Sequence, residues 1–196
     1  LGFRLLVAIL AGKAAARLSR ARGCRGTSLP GLVARKIYPG TLKDLSAQVR
    51  RDIIVVSGTN GKTTTTNMIA GVLSDAGHKV IVNREGSNMI TGVTASFVAN
   101  SGVSANIDCD YAVLEVDEAS MPGVLKEVNP KVVLLTNFFR DQLDRYWELD
   151  KIIGIISDSL RRQKQSTLVL NADDPLVAQF KSTTGLPAVF YGLSGH

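Results

Sequence analysis

Val55-Val56-Ser57-Gly58-Thr59-Asn60-Gly61-Lys62-Thr63-Thr64 is the stretch from which the rest of the chain is read. Ahead of the loop, Asp52 to Val56 is a short β-branched run of strand type; behind it, Ile69, Val72, Leu73 and Ala76 recur at helical spacing up to Gly77, a C-cap residue. A strand, a Gly-rich turn and a helix N-terminus in that order aim backbone N–H groups and the positive end of the helix dipole at one point, which suits a polyphosphate. In such a loop Lys62 meets the β- and γ-phosphates and the Thr63 hydroxyl meets a magnesium ion. The pattern G-x-x-x-x-G-K-[ST] is incomplete, because Val56 stands where its first Gly belongs. The longer string G-T-N-G-K-T-T after a strand therefore carries the reading, against a solvated loop that happens to contain Lys.

At 196 residues and 45% hydrophobic, the chain has enough material for one sizeable core. Cys24 and Cys109 lie far apart with no C-x-x-C partner, so neither a disulfide framework nor a zinc site is encoded, and two reduced thiols are expected. The net charge of +6 is unevenly placed. Residues 1–51 hold eleven Lys or Arg against one acid, Asp44, a balance of +10; the remainder holds twelve against sixteen, a balance of −4. That division separates a basic N-terminal helical segment, 1–51, from an acidic unit, 52–196, that carries the loop.

Within the basic segment, Leu5, Ile9 and Leu10 share an apolar face while Arg4, Lys13, Arg17 and Arg20 bring charge, which reads as an amphipathic helix followed by a basic loop, Arg22 to Gly31. Leu1 to Ala16 is too short and too interrupted by charge to span a bilayer, and a cleaved signal peptide does not fit a nucleotide site that follows directly. Two uses stay open: attachment to an anionic membrane surface, or a helix packed on its own protein with its charges solvated. Nucleic-acid binding is not expected, for want of aromatics and of a recognisable module.

Downstream, strands and helices alternate. Strands are expected at Lys79 to Val82, Tyr111 to Val116, Lys131 to Thr136, Thr167 to Leu170 and Ala188 to Tyr191; helices at Met89 to Ala99, Ala119 to Val128 and Glu148 to Arg161. This is an α/β chain with a mostly parallel sheet and helices on both faces. Ligands of such sheets bind beyond the carboxyl ends of the strands. The polar residues found there are Glu115, Asp117 and Glu118, then Thr136, Asn137, Arg140, Asp141, Gln142 and Asp144, then Asn171, Asp173 and Asp174. Magnesium takes oxygen ligands, usually one or two carboxylates beside phosphates and water, and Glu115 is the first choice. Asp117 and Glu118 equally suit the opening of a helix, and Asp144 and Asp174 equally suit N-caps. His78 reads as an exposed helix-end residue.

G-T-N-G-K-T-T at 58 to 64, Glu115, T-N-x-x-x-D-x-L-D at 136 to 144 and L-N-A-D-D-P at 170 to 175 together resemble the central ATPase domain of the Mur ligase family. R-G-T-S-L-P-G at 25 to 31, N-R-E-G-S-N-M-I-T-G at 83 to 92, E-V-D-E at 115 to 118 and N-F-F-R-D-Q-L-D-R-Y at 137 to 146 resemble the MurT branch, the subunits of lipid II isoglutaminyl synthases. Mur ligases of the ordinary kind carry His where Gln142 stands, and a carbamylated Lys about where Ile155-Ile156-Ser157 runs, so a second metal of their kind is not expected. The branch also carries a four-Cys zinc ribbon and a C-terminal domain whose residues are not in this chain, which reads as an N-terminal fragment.

The resemblance implies an ATP- and magnesium-dependent ligase of peptidoglycan synthesis, cytoplasmic and at the inner face of the plasma membrane. It would activate the D-glutamate α-carboxylate of lipid II as an acyl phosphate, for amidation with ammonia from a GatD-type glutaminase. Lys62 and Glu115 are the catalytic candidates, and Thr63 with Glu115 the magnesium ligands. Gly58, Thr59, Asn60, Gly61, Lys62, Thr63 and Thr64 would hold the nucleotide, the backbone N–H groups of residues 59–64 meeting the β-phosphate, with Asn137 and Asn171 contributing. Asn83, Arg84 and Asn88 would meet the precursor, or form a structural loop. The rival readings are a stand-alone amino-acid ligase of Mur or folylpolyglutamate type, and a nonenzymatic nucleotide-binding scaffold for a partner.

Overall fold

A computed structural model describes residues 2–21, 28–83, 86–138 and 146–193. Arg84, Cys24 and the stretch 139–145, with Arg140, Asp141, Gln142 and Asp144, lie outside the described residues. In chain order the elements are α1 (Phe3–Ala21), α2 (Leu29–Ile37), α3 (Thr41–Ser46), β1 (Asp52–Ser57), α4 (Lys62–Asp75), β2 (Val80–Val82), α5 (Ile90–Asn100) and β3 (Tyr111–Glu115). They continue with α6 (Met121–Leu125), β4 (Val132–Leu135), α7 (Tyr146–Leu160), β5 (Thr167–Asn171), α8 (Pro175–Ala178), α9 (Phe180–Thr184) and β6 (Ala188–Tyr191).

The strands form one all-parallel sheet in the order β2-β3-β1-β4-β5-β6. From β1 the chain crosses to β2 at one edge of the sheet, returns to β3 between the two, and then builds outward on the other side through β4, β5 and β6. The crevice where the direction reverses lies past the C-terminal end of β1, where a parallel sheet takes its ligand. Residues 58–61 fill that position.

Period-two alternation sorts the strand side chains between two faces. Ile53, Val55, Ala112, Leu114, Val133 and Leu135 point into the larger core, with Phe97, Leu125, Ile156, Leu160 and Phe180. Val56 and Val113, with Ile54 and Leu134, meet Ile69, Ala70 and Leu73 of α4 on the opposite face. The larger core also takes in Leu5, Ala8, Ile9, Ala34, Leu42 and Leu45, so the N-terminal helices share apolar packing with the sheet. Arg35 of α2 holds Glu127 through two bonds of 2.7 Å each, fixing that helix to the turn after α6.

Four local expectations are corrected. The basic loop expected through Gly31 already turns helical at Leu29, with Pro30 in the first turn, where its missing N–H costs nothing. Gly31 there is a packing residue: a Cβ would stand 1.9 Å from the Thr91 carbonyl oxygen of α5. The helix expected over Ala119 to Val128 shrinks to Met121–Leu125, since Pro122 suits only a helix start, and Lys126 and Glu127 form a turn. Leu10 leaves the face shared by Leu5 and Ile9: those two are buried, whereas Leu10, about 100° further round the helix, is exposed. His78 is not simply exposed, for its ring meets the Tyr111 ring edge-on at 5.1 Å and its Nδ1 lies 4.0 Å from Asp110. Cys109 is a buried free thiol whose pKa is pushed up to about 11 by burial, an inert core residue.

Candidate functional site

The loop leaves β1 at Ser57 and enters α4 at Lys62, with Gly58 and Gly61 at φ of +126° and +81°. Both lie in the region that glycine adopts without strain. Gly58 faces a second constraint, because a Cβ would sit 2.2 Å from Thr136 Oγ1 and 2.9 Å from the Asn137 carbonyl oxygen. The end of β4 thus lies against the loop and holds it. Thr136 Oγ1 donates to the Asn60 carbonyl at 2.8 Å, and Asn137 Nδ2 donates to the same oxygen at 3.1 Å. In return the Asn60 N–H donates to Asn137 Oδ1 at 2.9 Å, and the Thr59 N–H to the Asn137 carbonyl at 2.7 Å.

This bracing divides the loop's donors. The N–H groups of Thr59 and Asn60, which the sequence put with those of residues 61–64 on the β-phosphate, donate to Asn137 here. Those of Lys62, Thr63 and Thr64 open α4, where a helix has no internal acceptors to offer, and they are the donors aimed outward. α4 carries no acid in its first turn and its N-cap Gly61 makes no side-chain bond, so its positive end is not neutralised from within. Lys62 lies over the loop: Nζ donates to the carbonyls of Gly58 and, at 3.0 Å, Thr59, and stands 3.6 Å from Glu118 Oε2.

Glu115 ends β3 directly beside Val56 in the parallel register and is 5% exposed. Asn83, itself buried, fixes its backbone from both sides: the Glu115 N–H donates to Asn83 Oδ1 at 2.8 Å, and Asn83 Nδ2 donates to the carbonyls of Glu115 at 2.8 Å and Ser87 at 2.9 Å. Ser57 Oγ adds a bond of 2.8 Å to the Val116 carbonyl, tying the ends of β1 and β3 together. Among the described residues none donates a hydrogen bond to the Glu115 carboxylate. A carboxylate held nearly out of water without donors favours a cation beside it, and its oxygens are of the donor type that magnesium takes. Among the described residues no group of three or more His, Cys, Asp or Glu is arranged around a common point.

The remaining candidates sort by what their side chains touch. Asn171 at the end of β5 donates to the Thr136 carbonyl at 2.9 Å and accepts from the Asp173 N–H, so its amide braces β4 against β5. Asp174 is the N-cap of α8, accepting from the Leu176 N–H at 2.9 Å, and its other oxygen accepts from the Phe138 N–H at 2.7 Å. Asp117 closes the turn before α6 by accepting from the Ala119 N–H at 3.2 Å. The backbone of Asn88 accepts from the Asp117 N–H, while its half-buried side chain makes no bond with a described residue. Ile156 and Ser157 are buried, whereas Ile155 is exposed. The contributions of Thr136 to the loop, Glu118 to Lys62 and Asn83 to Glu115 went unread in the sequence, because each depends on which strands are neighbours.

Gly58→Ala is expected to weaken nucleotide binding by at least about tenfold and to lower stability by about 1–3 kcal/mol, because the methyl group must displace Thr136 or the loop at a strained φ. Titration calorimetry and thermal melting of the variant measure both effects. A variant indistinguishable from wild type would show that the loop is not held against β4.

A parallel sheet ordered in this way, with a Gly-rich loop and a buried carboxylate at the switch point, defines an α/β phosphate-binding unit of the nucleotide-dependent class. Residues 56–196 match the Mur ligase middle domain, and the chain belongs to that family. It is 45% identical over 193 residues to the MurT subunit of lipid II isoglutaminyl synthase (glutamine-hydrolyzing) of Staphylococcus aureus, covering 98% of this chain and 43% of that protein. To the subunit of the same description from Streptococcus pneumoniae it is 38% identical, covering 86% of this chain and 36% of the other. The MurF ligase of Thermotoga maritima, solved in complex with ADP, shares the fold at a TM-score of 0.65 and 17% identity, over 83% of this chain and 37% of that one. The chain therefore spans about two fifths of the length of the curated relatives it matches.

Proposed function

We propose that this chain is the ATP-handling portion of a MurT-type subunit, which activates the D-glutamate α-carboxylate of the lipid II stem peptide for amidation in peptidoglycan synthesis. The observation that carries this reading is the loop 58–64, braced by Thr136 and Asn137 and set beside the buried Glu115 at the switch point of the sheet. The likeness to the MurT subunits supports the choice of substrate.

A carboxylate is a poor electrophile and its oxygen a poor leaving group. One carboxylate oxygen attacks the γ-phosphorus of ATP, the bond to ADP breaks, and an acyl phosphate forms. Ammonia, supplied by a GatD-type glutaminase, then attacks the acyl carbon, phosphate departs with that oxygen, and the nitrogen loses a proton to leave D-isoglutamine. The protein's part is positioning and charge. Lys62 would reach the β- and γ-phosphates from its place over the loop, the N–H groups opening α4 would take the β-phosphate, and Thr63 and Glu115 would hold magnesium. Magnesium, when bound, offsets the charge of the phosphoryl group in transfer. Asn137 and Asn171 serve the nucleotide by fixing the surfaces around it, and Asn83 serves through Glu115. Asn88 lies in the connection after β2, and Asn88 and Arg84 are the candidates to meet the precursor's peptide or sugar phosphate. A substrate anchored in lipid brings the basic N-terminal segment to the inner face of the plasma membrane.

The test is isotopic. With the D-glutamate α-carboxylate labelled with oxygen-18, the released phosphate should carry one labelled oxygen; unlabelled phosphate would refute the acyl phosphate.

A further inference from the structure

α1 is apolar on two opposite sides. Leu5, Ala8, Ile9 and Gly12 are buried against the protein, whereas Phe3, Val7, Leu10 and Leu18 are 79%, 37%, 46% and 60% exposed. At 3.6 residues per turn the exposed four, with the exposed Ala14, fall in one stripe about 80° wide, diametrically opposite the buried face. Arg4 borders that stripe on one side and Arg17 on the other, both exposed, with Arg20 beyond Arg17. There is no acid on the helix at all. A helix that served only to pack on its own protein would need one apolar side, and the second, edged by arginine, has the pattern of a helix lying in a membrane interface. Among the described residues no helix is long and apolar enough to cross a membrane, so this one could lie on a bilayer but not span it.

We propose that α1 seats the protein on an anionic phospholipid surface, with Phe3, Val7, Leu10 and Leu18 entering the boundary between headgroups and acyl chains and Arg4, Arg17 and Arg20 meeting headgroup phosphates. The proposal deepens the reading above by naming the surface on which a lipid-linked substrate would be met. Charge complementarity selects the occupant: residues 1–51 hold eleven basic groups and one acid, whereas the loop-bearing remainder is net negative. The polar rim of a lipid layer takes arginine, and its apolar boundary takes the stripe between.

Co-sedimentation with vesicles tests this. The chain should bind vesicles of mixed phosphatidylglycerol and phosphatidylcholine, bind pure phosphatidylcholine at least about tenfold more weakly, and release when salt is raised from about 0.1 M to about 0.5 M. Leu10→Glu combined with Leu18→Glu should lower the affinity at least about tenfold, and Arg4→Gln combined with Arg17→Gln should weaken binding to the anionic vesicles at least about tenfold while leaving binding to pure phosphatidylcholine unchanged. All four positions are exposed, and circular dichroism verifies the fold. Stripe variants that bind as wild type does, or a wild type that binds no vesicle, would overturn the proposal. A self-association seen in sedimentation velocity and lost in the stripe variants, without vesicle binding, would assign the stripe to a second copy and overturn it equally. The vesicles contain neither ATP nor precursor, so failure of the ligase reading leaves this readout untouched.

Discussion

Lys62→Ala is expected to bind magnesium-ATP at least about a hundredfold more weakly than wild type. A lysine contact to phosphate is charge-assisted and contributes about 1.5–3 kcal/mol, and two such contacts suffice for that factor. The sheet should survive the change. The side chain lies over the loop carbonyls and beside Glu118 and takes no part in either apolar core, so its loss exposes no buried packing. Titration calorimetry on the folded variant reads the effect. Equal affinities would remove Lys62 from the site and with it the assignment of the loop.

Glu115→Gln is expected to lower turnover in the complete enzyme at least about a hundredfold while changing nucleotide affinity less than about tenfold. The substitution conserves volume, and the bonds from Asn83 are made to the backbone of residue 115, so the side chain keeps its place. Only the charge is lost. Triphosphate contacts to Lys62 and to the opening turn of α4 persist, but the carboxylate ligand that keeps magnesium positioned during transfer does not. Assaying the amidation across a magnesium titration separates the two effects. Unchanged turnover at every magnesium concentration would make Glu115 structural.

The strands were legible because each is a short run of apolar, β-branched or aromatic residues closed by turn residues, and their alternation with helices implied a parallel sheet. The switch point followed, and with it the position of the loop, Glu115, Asn137 and Asn171. What those asparagines do was not legible. An Asn just past a strand can face a ligand or satisfy a neighbouring backbone, and the choice depends on the adjacent strand; Asn137 and Asn171 both turn to backbone partners. Local signals fared better: the Asp174-Pro175 pair read as a helix start and is one. α2 was hidden for the opposite reason, since Pro30 and Gly31 are loop signals in isolation. Gly31 is explained only by the approach of Thr91, sixty residues on. The exposed stripe of α1 was obscured because the helix is apolar on both sides, and periodicity alone could not say which side the protein covers.

The central claim is that this chain serves an amidation and not the addition of an amino acid. The direct measurement is mass spectrometry of lipid-linked precursor after incubation with the complete subunit, a GatD-type glutaminase, ATP, magnesium and glutamine. The product should be about 1 Da lighter, OH having been exchanged for NH2, and should carry one negative charge fewer. It should form equally with free ammonia in place of glutamine. A product heavier by a whole amino-acid residue, formed without the glutaminase, would contradict the account.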